Sequence, residues 1–327
     1  MVLSMFIMNS MGGANDSLFF TFALVSVQTA AQRACMPVVY RQRHWDSPAD
    51  TMVSLQDMEV MLYEAIAAGN LTSVKRMVTS GIGHNAVLHS PKRWEAATIL
   101  STAAYFGNLQ MVRYLVESGA SINFQDPGVR RNALHWACMG NGTDVVKYLI
   151  SCGADVNALD RDNMSPLMQA ALHSHQAAVK ELVEAGSCIS YIDRLRCSAL
   201  HYAAFHGDRL SVRSLILGGC IHNNAIFVKG TPLANLALIG DVDNVRLLLA
   251  AGCRVTREGW RQQSEGLSED NEVCQLMQKF TSSPRSLRHL CRSAIRASMK
   301  GQHVQKKIRE LPLPTSLIQY SLLELDD

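Results

Sequence analysis

The sequence has no apolar run long enough to cross a bilayer, no closely paired cysteines and no strong excess of charge. Each lack closes off a class of protein. The N-terminal apolar stretch, Leu18 to Val27, is ten residues long and broken by Thr21 and Ser26, whereas a spanning helix needs about twenty. Asp16 precedes it where a secretory leader carries Lys or Arg. Residues 1–55, which hold it, are expected to be a poorly ordered extension, or to place a helix on the first repeat. The nine cysteines, Cys35 among them, are odd in number and form no C-x-x-C pair. A zinc site needs paired ligands and a secreted scaffold needs regular staples, so free thiols in a reducing compartment are expected. A net charge of +3 over 327 residues is too small to argue for nucleic acid or a membrane surface. No P-loop, no G-x-S-x-G elbow and no Cys–His arrangement with local support occurs. No enzyme activity, metal or cofactor is therefore expected.

What is present is apolar and periodic. Hydrophobic residues make up 48% of the chain, enough for a sizeable core. The tetrapeptides Thr98-Ile99-Leu100-Ser101, Asn132-Ala133-Leu134-His135 and Ser165-Pro166-Leu167-Met168 recur at fixed phase, followed by Ser198-Ala199-Leu200-His201 and Thr231-Pro232-Leu233-Ala234. Their starts are spaced by 34, 33, 33 and 33 residues, and each unit closes on a glycine: Gly119, Gly153, Gly186, Gly219 and Gly252. A weaker unit runs from Val60 to Gly81. A period near 33 is the mark of a stacked-repeat architecture.

The opening Ser or Thr can cap a helix with its hydroxyl, and a Pro directly after it loses nothing at the first helical position. Alanine pairs such as Ala203-Ala204 keep the first helix thin. Val145, Val146, Leu149 and Ile150 give the second helix an apolar stripe. The closing glycine suits a left-handed helix end. Each unit is thus two short antiparallel helices and a hairpin-like loop, and only stacking buries its apolar face. Two departures are visible: a gap lengthened by about five residues around Gly81 to Ala97, and Asn141 and Ser174 in place of a mid-unit glycine, expected to distort those turns slightly.

This pattern resembles the ankyrin repeat, most closely from Ala133 to Asp160. The resemblance implies an all-α ankyrin-repeat solenoid of about six units: about 56–85, 96–126, 130–160, 163–193, 196–225 and 229–255. It implies that His135 and His201 hydrogen-bond neighbouring backbone; His173 and His175, in a helix–helix turn, are expected to be solvated. Projecting the units puts Tyr105, Trp136, Met139, Leu172, Tyr202, Phe205 and Leu238 on or near the concave side, as candidates for binding a target protein. The rival reading of these residues is packing between repeats. Arg161, Arg194, Arg196 and Lys229 at the loop tips suggest an acidic element in the partner.

Beyond Val255 the repeat fades. Residues 256–282 are expected to cap the stack, with a last helix over Glu272 to Phe280. Pro284 to Glu310 carries eight Lys/Arg and one acid. Leu287, Leu290, Cys291, Ala294, Ile295 and Ser298 fall on one helical face and Arg288, Arg292 and Arg296 on its neighbour. Val304 and Ile308 mark a second apolar segment. Leu311-Pro312-Leu313-Pro314 forces extended chain, and Leu317, Ile318, Tyr320, Leu322 and Leu323 form a last amphipathic piece. So short a segment cannot build much core, so its apolar face needs the stack or a partner.

Residues 283–327 resemble the SOCS box, and the whole chain resembles the ankyrin repeat and SOCS box family. Leu287, Cys291 and Ile295 match its elongin-binding spacing. The resemblance implies that Leu287 and Cys291 enter a pocket on elongin C, with Ile295 extending the contact and Leu290 on the same face. Leu311, Pro312, Leu313 and Pro314 with Leu317 and Tyr320 match its cullin-5 box; Met299 and Ser321 stand where leucine is commoner. The family implies a non-catalytic adaptor of a cullin–RING ubiquitin ligase, binding elongins B and C and cullin-5 with its RING partner. The repeats would hold a target protein, in the cytoplasm or the nucleus. The alternatives are a plain ankyrin scaffold with the box as a cap, and a calmodulin-type target helix, which leaves the Leu-Pro-Leu-Pro element unexplained.

Overall fold

A computed structural model describes residues 55–89, 96–140, 142–220, 230–253, 255, 260, 272–282, 287–299 and 304–322. The expectations for residues 1–54, which include Leu18 to Val27 and Cys35, lie outside the described residues, as do Asn141, Lys229 and Leu323. Six helix pairs fill the first part. They are α1 (Leu55–Ala67) with α2 (Leu71–Thr79), α3 (Ile99–Tyr105) with α4 (Leu109–Glu117), and α5 (Ala133–Gly140) with α6 (Thr143–Ser151). Then come α7 (Pro166–Leu172) with α8 (Gln176–Glu184), α9 (Ala199–Phe205) with α10 (Arg209–Gly218), and α11 (Pro232–Leu238) with α12 (Val242–Ala250).

The opening residues act as caps. The hydroxyls of Thr98, Ser165 and Thr231 accept from the third helical N–H, of Ser101 (3.0 Å), Met168 (3.3 Å) and Ala234 (3.1 Å). Each such bond supplies a partner to an N–H that the helix leaves without one. Pro166 and Pro232 stand at the first helical position. The alanines of α3, α5, α7, α9 and α11 are buried, and these helices pack side by side while α4, α6, α8, α10 and α12 form a second row.

Inside the pairs whose turn is described, the turn holds a left-handed residue. Gly107, Gly207 and Gly240 supply it with φ of 71°, 69° and 67°, and Ser174 supplies it with 57°. Ser174 thus keeps the turn instead of distorting it. Between the second and fifth pairs the chain makes three finger turns, each organised by an aspartate. The Asp160 and Asp193 carboxylates accept from the N–H of Met164 (2.9 Å) and Cys197 (2.8 Å). The turn opened by Asp126 ends on Arg131, whose carbonyl accepts the Asp126 N–H at 2.8 Å. It holds one residue more than the other two, which accounts for the single 34-residue spacing.

The lengthened gap is a feature the all-α expectation omitted. Val87–His89 and Ala96–Thr98 form β1 and β2, an antiparallel ribbon with Val87 opposite Thr98. Leu88 on this ribbon is buried in the core that α1 and the following pairs share. His135 and His201 behave as expected. His135 Nε2 lies 3.1 Å from the Met164 carbonyl, and the Ser198 N–H donates to His201 Nδ1 at 3.1 Å. His175 does not: it is buried, with Nδ1 at 2.6 Å from the Cys138 carbonyl, and half-buried His173 stacks on it. The contact reaches back to the preceding repeat, while Ser174 beside it in the turn stays exposed.

After the stack, α13 (Glu272–Ser282) packs on α12, with Val273, Cys274 and Met277 buried. Three helices follow: α14 (Leu287–Ser298), α15 (Val304–Arg309) and α16 (Thr315–Ser321). No described helix is long and apolar enough to cross a membrane.

Candidate functional site

The helix α14 turns Arg292 and Arg296 inward and Leu290 and Cys291 outward. Arg292 and Arg296 are 1% and 4% exposed, while Leu290 is 48% exposed and Cys291, Ala294 and Ser298 are exposed with it. The side chain of Leu287 lies outside the described residues. Ile295 takes an intermediate place: it is half-buried and packs with Met299 and Ile318 against Val304, Ile308 and Leu322. So three residues of the expected elongin-binding stripe are located, two on the open face and one at its edge.

Backbone carbonyls explain why guanidinium groups face the interior. Arg296 donates through Nη2 to the carbonyl of Ile216 (2.8 Å) and through Nη1 to that of Ser321 (3.1 Å). Ile216 lies in the last turn of α10 and Ser321 ends α16, so one cation caps two helix ends. Those ends expose carbonyls without intrahelical partners and carry the negative pole of the helix dipole. Burial, and then repulsion from Arg292, lower the Arg296 pKa to about 10, which leaves it a cation at neutral pH. Arg292 lies with its guanidinium carbon 4.1 Å from the centre of the Tyr320 ring, a cation–π contact in a desolvated setting. The His289 ring meets Phe280 of α13 edge-on at 5.8 Å.

The box is thereby seated on the ends of the last repeats. Gln305 donates to the Leu217 carbonyl at 3.3 Å. A Cβ on Gly219 would stand 2.7 Å from Val304 Cγ2, and one on Gly252 would stand 2.9 Å from the Ser293 hydroxyl. The glycines that close the fifth and sixth repeats therefore serve twice, as left-handed helix ends with φ of 110° and 101°, and as the floor on which the box rests.

The Leu-Pro-Leu-Pro element joins α15 to α16. Pro312 and Pro314 are exposed, Leu311 and Leu313 half-buried and Leu317 exposed. Tyr320 is a correction. It is buried under Arg292 and so supports α14 instead of offering itself to a partner. Ser321, also buried, contributes its carbonyl to Arg296.

Two of the residues projected onto a target-binding face are likewise interior. Trp136 and Tyr202 are 2% and 1% exposed; the indole N–H donates to Asp126 and the phenol O–H to Asp193. Gln169, at the same place in the intervening unit, donates to Asp160 at 3.4 Å. These residues tie the start of each repeat to the finger turn before it, and their conversion to alanine would test folding more than binding. Burial raises the Asp126 carboxyl to about 6, against the pull of the Thr98, Trp136 and Ser101 donors and the Arg131 charge. Tyr105, Met139 and Leu172 are half-buried, and Phe205 and Leu238 are exposed. The sequence reading missed Ile192 and Leu195, two exposed large apolar residues on the fourth finger turn. Leu195 standing between Arg194 and Arg196 at a turn tip was the available signal. Eight cysteines among the described residues are free thiols, and no group of three or more His, Cys, Asp or Glu among those residues is arranged to hold a metal.

Comparisons with known proteins meet this geometry. The family model for ankyrin repeats matches three overlapping spans, residues 62–160, 100–193 and 134–226, and that for the SOCS box matches residues 283–320. The chain belongs to the ankyrin repeat and SOCS box family. Among curated relatives, ankyrin repeat and SOCS box protein 6 of Mus musculus is 40% identical over 81 residues, 24% of this chain and 19% of that protein. Protein phosphatase 1 regulatory subunit 27 of Homo sapiens is 32% identical over 126 residues, 38% of this chain and 78% of that protein. Transient receptor potential cation channel subfamily A member 1 of Drosophila melanogaster is 30% identical over 132 residues, 38% of this chain but 10% of the channel. The likeness to the channel and to the mouse protein thus spans a small part of their length. In this ankyrin repeat and SOCS box protein the SOCS box match ends on Tyr320, the residue that closes the seat of α14.

Proposed function

We propose that this chain is the substrate-recognition adaptor of a cullin–RING ubiquitin ligase. The box binds elongins B and C through Leu287, Leu290, Cys291 and Ile295, and cullin-5 with its RING partner through Leu311, Pro312, Leu313, Pro314 and Leu317. The repeats hold a target protein, whose ubiquitination and proteasomal degradation follow. The chain contributes proximity and orientation and no bond chemistry of its own. The cytoplasm is the expected setting, with the nucleus as the alternative.

The observation that carries this reading is the outward apolar face of α14. A helix whose Arg292 and Arg296 are buried and whose Leu290 and Cys291 meet solvent is folded against the ordinary preference. A partner that covers the face restores it. Burying each Leu or Ile side chain contributes roughly 1.5–3 kcal/mol, so three or four anchors can support specific binding after the costs of association. The SOCS box match and the mouse relative support the same assignment.

The docking of the arginine face favours a second reading, in which the box merely caps a scaffold. Co-purification separates the two. Leu290→Asp and Cys291→Asp alter exposed positions, so the chain should stay folded while elongins B and C are lost. Full retention of both elongins by the double variant would leave the scaffold reading alone standing.

A further inference from the structure

The finger turns carry a feature that neither the box nor the core uses. Three consecutive turns share one design. In each an aspartate opens the turn, its carbonyl accepts from the N–H of the residue before last, and that residue is left-handed. The N–H groups of Arg130, Asn163 and Arg196 donate to the carbonyls of Asp126, Asp160 and Asp193 at 2.9, 3.1 and 3.0 Å. Their φ angles are 57°, 60° and 63°. Asn is at home in this conformation; arginine has a Cβ that opposes it and no short side chain to compensate. The chain thus twice holds an arginine where glycine or asparagine would fit with less strain, and strain of this kind points to a role for the side chain.

The turns are also joined into one row. The Arg161 N–H donates to the Val129 carbonyl at 2.9 Å, and the Arg194 N–H to the Asp162 carbonyl at 3.1 Å. Along this row Arg130, Arg161, Arg194 and Arg196 are exposed. The turn aspartates Asp126, Asp160 and Asp193 are buried, engaged with the backbone and with Trp136, Arg131, Gln169 and Tyr202. Asp162 is the exposed acid on the row, 3.9 Å from Arg194, a separation at which an exposed pair holds weakly. Beside these cations Leu195 is 52% exposed and Ile192 48%. The row therefore offers positive charge in excess, with an apolar step at its fourth-repeat end.

We infer that this row of finger tips, and not the aromatic side of the first helices, is the target-docking surface, and that its occupant is an extended acidic segment. That segment lays Asp or Glu side chains against Arg130, Arg161, Arg194 and Arg196 and one large apolar side chain on Ile192 and Leu195. The arginines give long-range steering and carboxylate-matched donors; the two apolar residues give the desolvated anchor that charge alone does not supply. The inference rests on the reading that the repeats hold a target, and does not depend on what the box recruits.

The test uses the full chain and a random library of displayed twelve-residue peptides. Enriched peptides should combine several Asp or Glu with a Leu, Ile or Phe. Resynthesised and measured by fluorescence anisotropy, they should bind more weakly as salt rises. Arg161→Glu and Arg194→Glu should each lower affinity by about tenfold, as reversal of an interface charge does, and Leu195→Ser should lower it several-fold. Arg130→Gly and Arg196→Gly should weaken binding while leaving the melting temperature unchanged or higher, a split that a structural role would not produce. Phe205→Ser and Leu238→Ser should leave affinity unchanged. A library that enriches no acidic residues overturns the inference. So do enriched peptides that lose affinity with the Phe205 and Leu238 variants but not with the arginine variants. Elongin co-purification on the same preparations keeps the two readings apart: Leu290→Asp should lose elongins and keep the peptide, and the arginine variants the reverse.

Discussion

Gly219→Ala should loosen the box from the stack, and Gly153→Ala should not. Both glycines end the second helix of a repeat, with φ of 110° and 85°. An alanine at either position carries the left-handed penalty, about 1–2 kcal/mol. The surroundings differ. A Cβ at Gly153 meets nothing within 4 Å, whereas one at Gly219 stands 2.7 Å from Val304 Cγ2 and 3.2 Å from its Cβ. Val304 is buried with Ile308 and Leu322, so it must move out of that cluster. Losing the burial of a valine costs about 1.5–3 kcal/mol. The excess of Gly219→Ala over Gly153→Ala is therefore about 1.5–3 kcal/mol, located at the box. Native-state hydrogen exchange read by mass spectrometry reports local opening directly. Amides of α15 should exchange about ten- to a hundredfold faster in Gly219→Ala, and at the wild-type rate in Gly153→Ala. Equal protection of α15 in the two variants would refute the seating described above.

Other outcomes follow from the interior polar groups. Burial lowers the His135 pKa to about 4, while the unfolded chain titrates near 6.5. Its contribution is complete above pH 6.5 and is lost as pH falls toward 4, because the unfolded state takes up a proton that the folded one refuses. In urea titrations the stability gap between wild type and His135→Gln should narrow by about 3 kcal/mol from pH 7 to pH 4; a gap that does not change with pH would contradict a neutral, buried ring. Trp136→Ala should cost about 3–5 kcal/mol in the same assay; a variant as stable as wild type would return Trp136 to the list of surface candidates.

Much of the architecture was legible because each repeat writes its own boundaries. The cap residue, the proline behind it and the closing glycine answer to local backbone chemistry, so their phase in the sequence is their phase in space. The ribbon of β1 and β2 was not legible: its strands are three residues each, too short for an alternating pattern to register. The orientation of α14 was half legible. Amphipathic spacing separated Leu290 and Cys291 from Arg292 and Arg296, but which side faces the stack depends on carbonyls of Ile216 and Ser321, distant in sequence and invisible in side-chain identity. Trp136 and Tyr202 were misjudged for a related reason. Large aromatics at solenoid positions suggest an interface until their polar ends are followed to Asp126 and Asp193. That pairing has a sequence mark after all, since an aspartate precedes Trp136, Gln169 and Tyr202 by nine or ten residues.

The outward face of α14 is most directly tested at Cys291, an exposed thiol in the middle of the stripe. Maleimide labelling of the native full chain, resolved by peptide mass spectrometry, should modify Cys291 rapidly while buried Cys138, Cys197, Cys220 and Cys253 stay unmodified. Adding elongins B and C should then protect Cys291. A Cys291 that resists labelling in the free chain, or that labels as fast with the elongins present, would contradict the account.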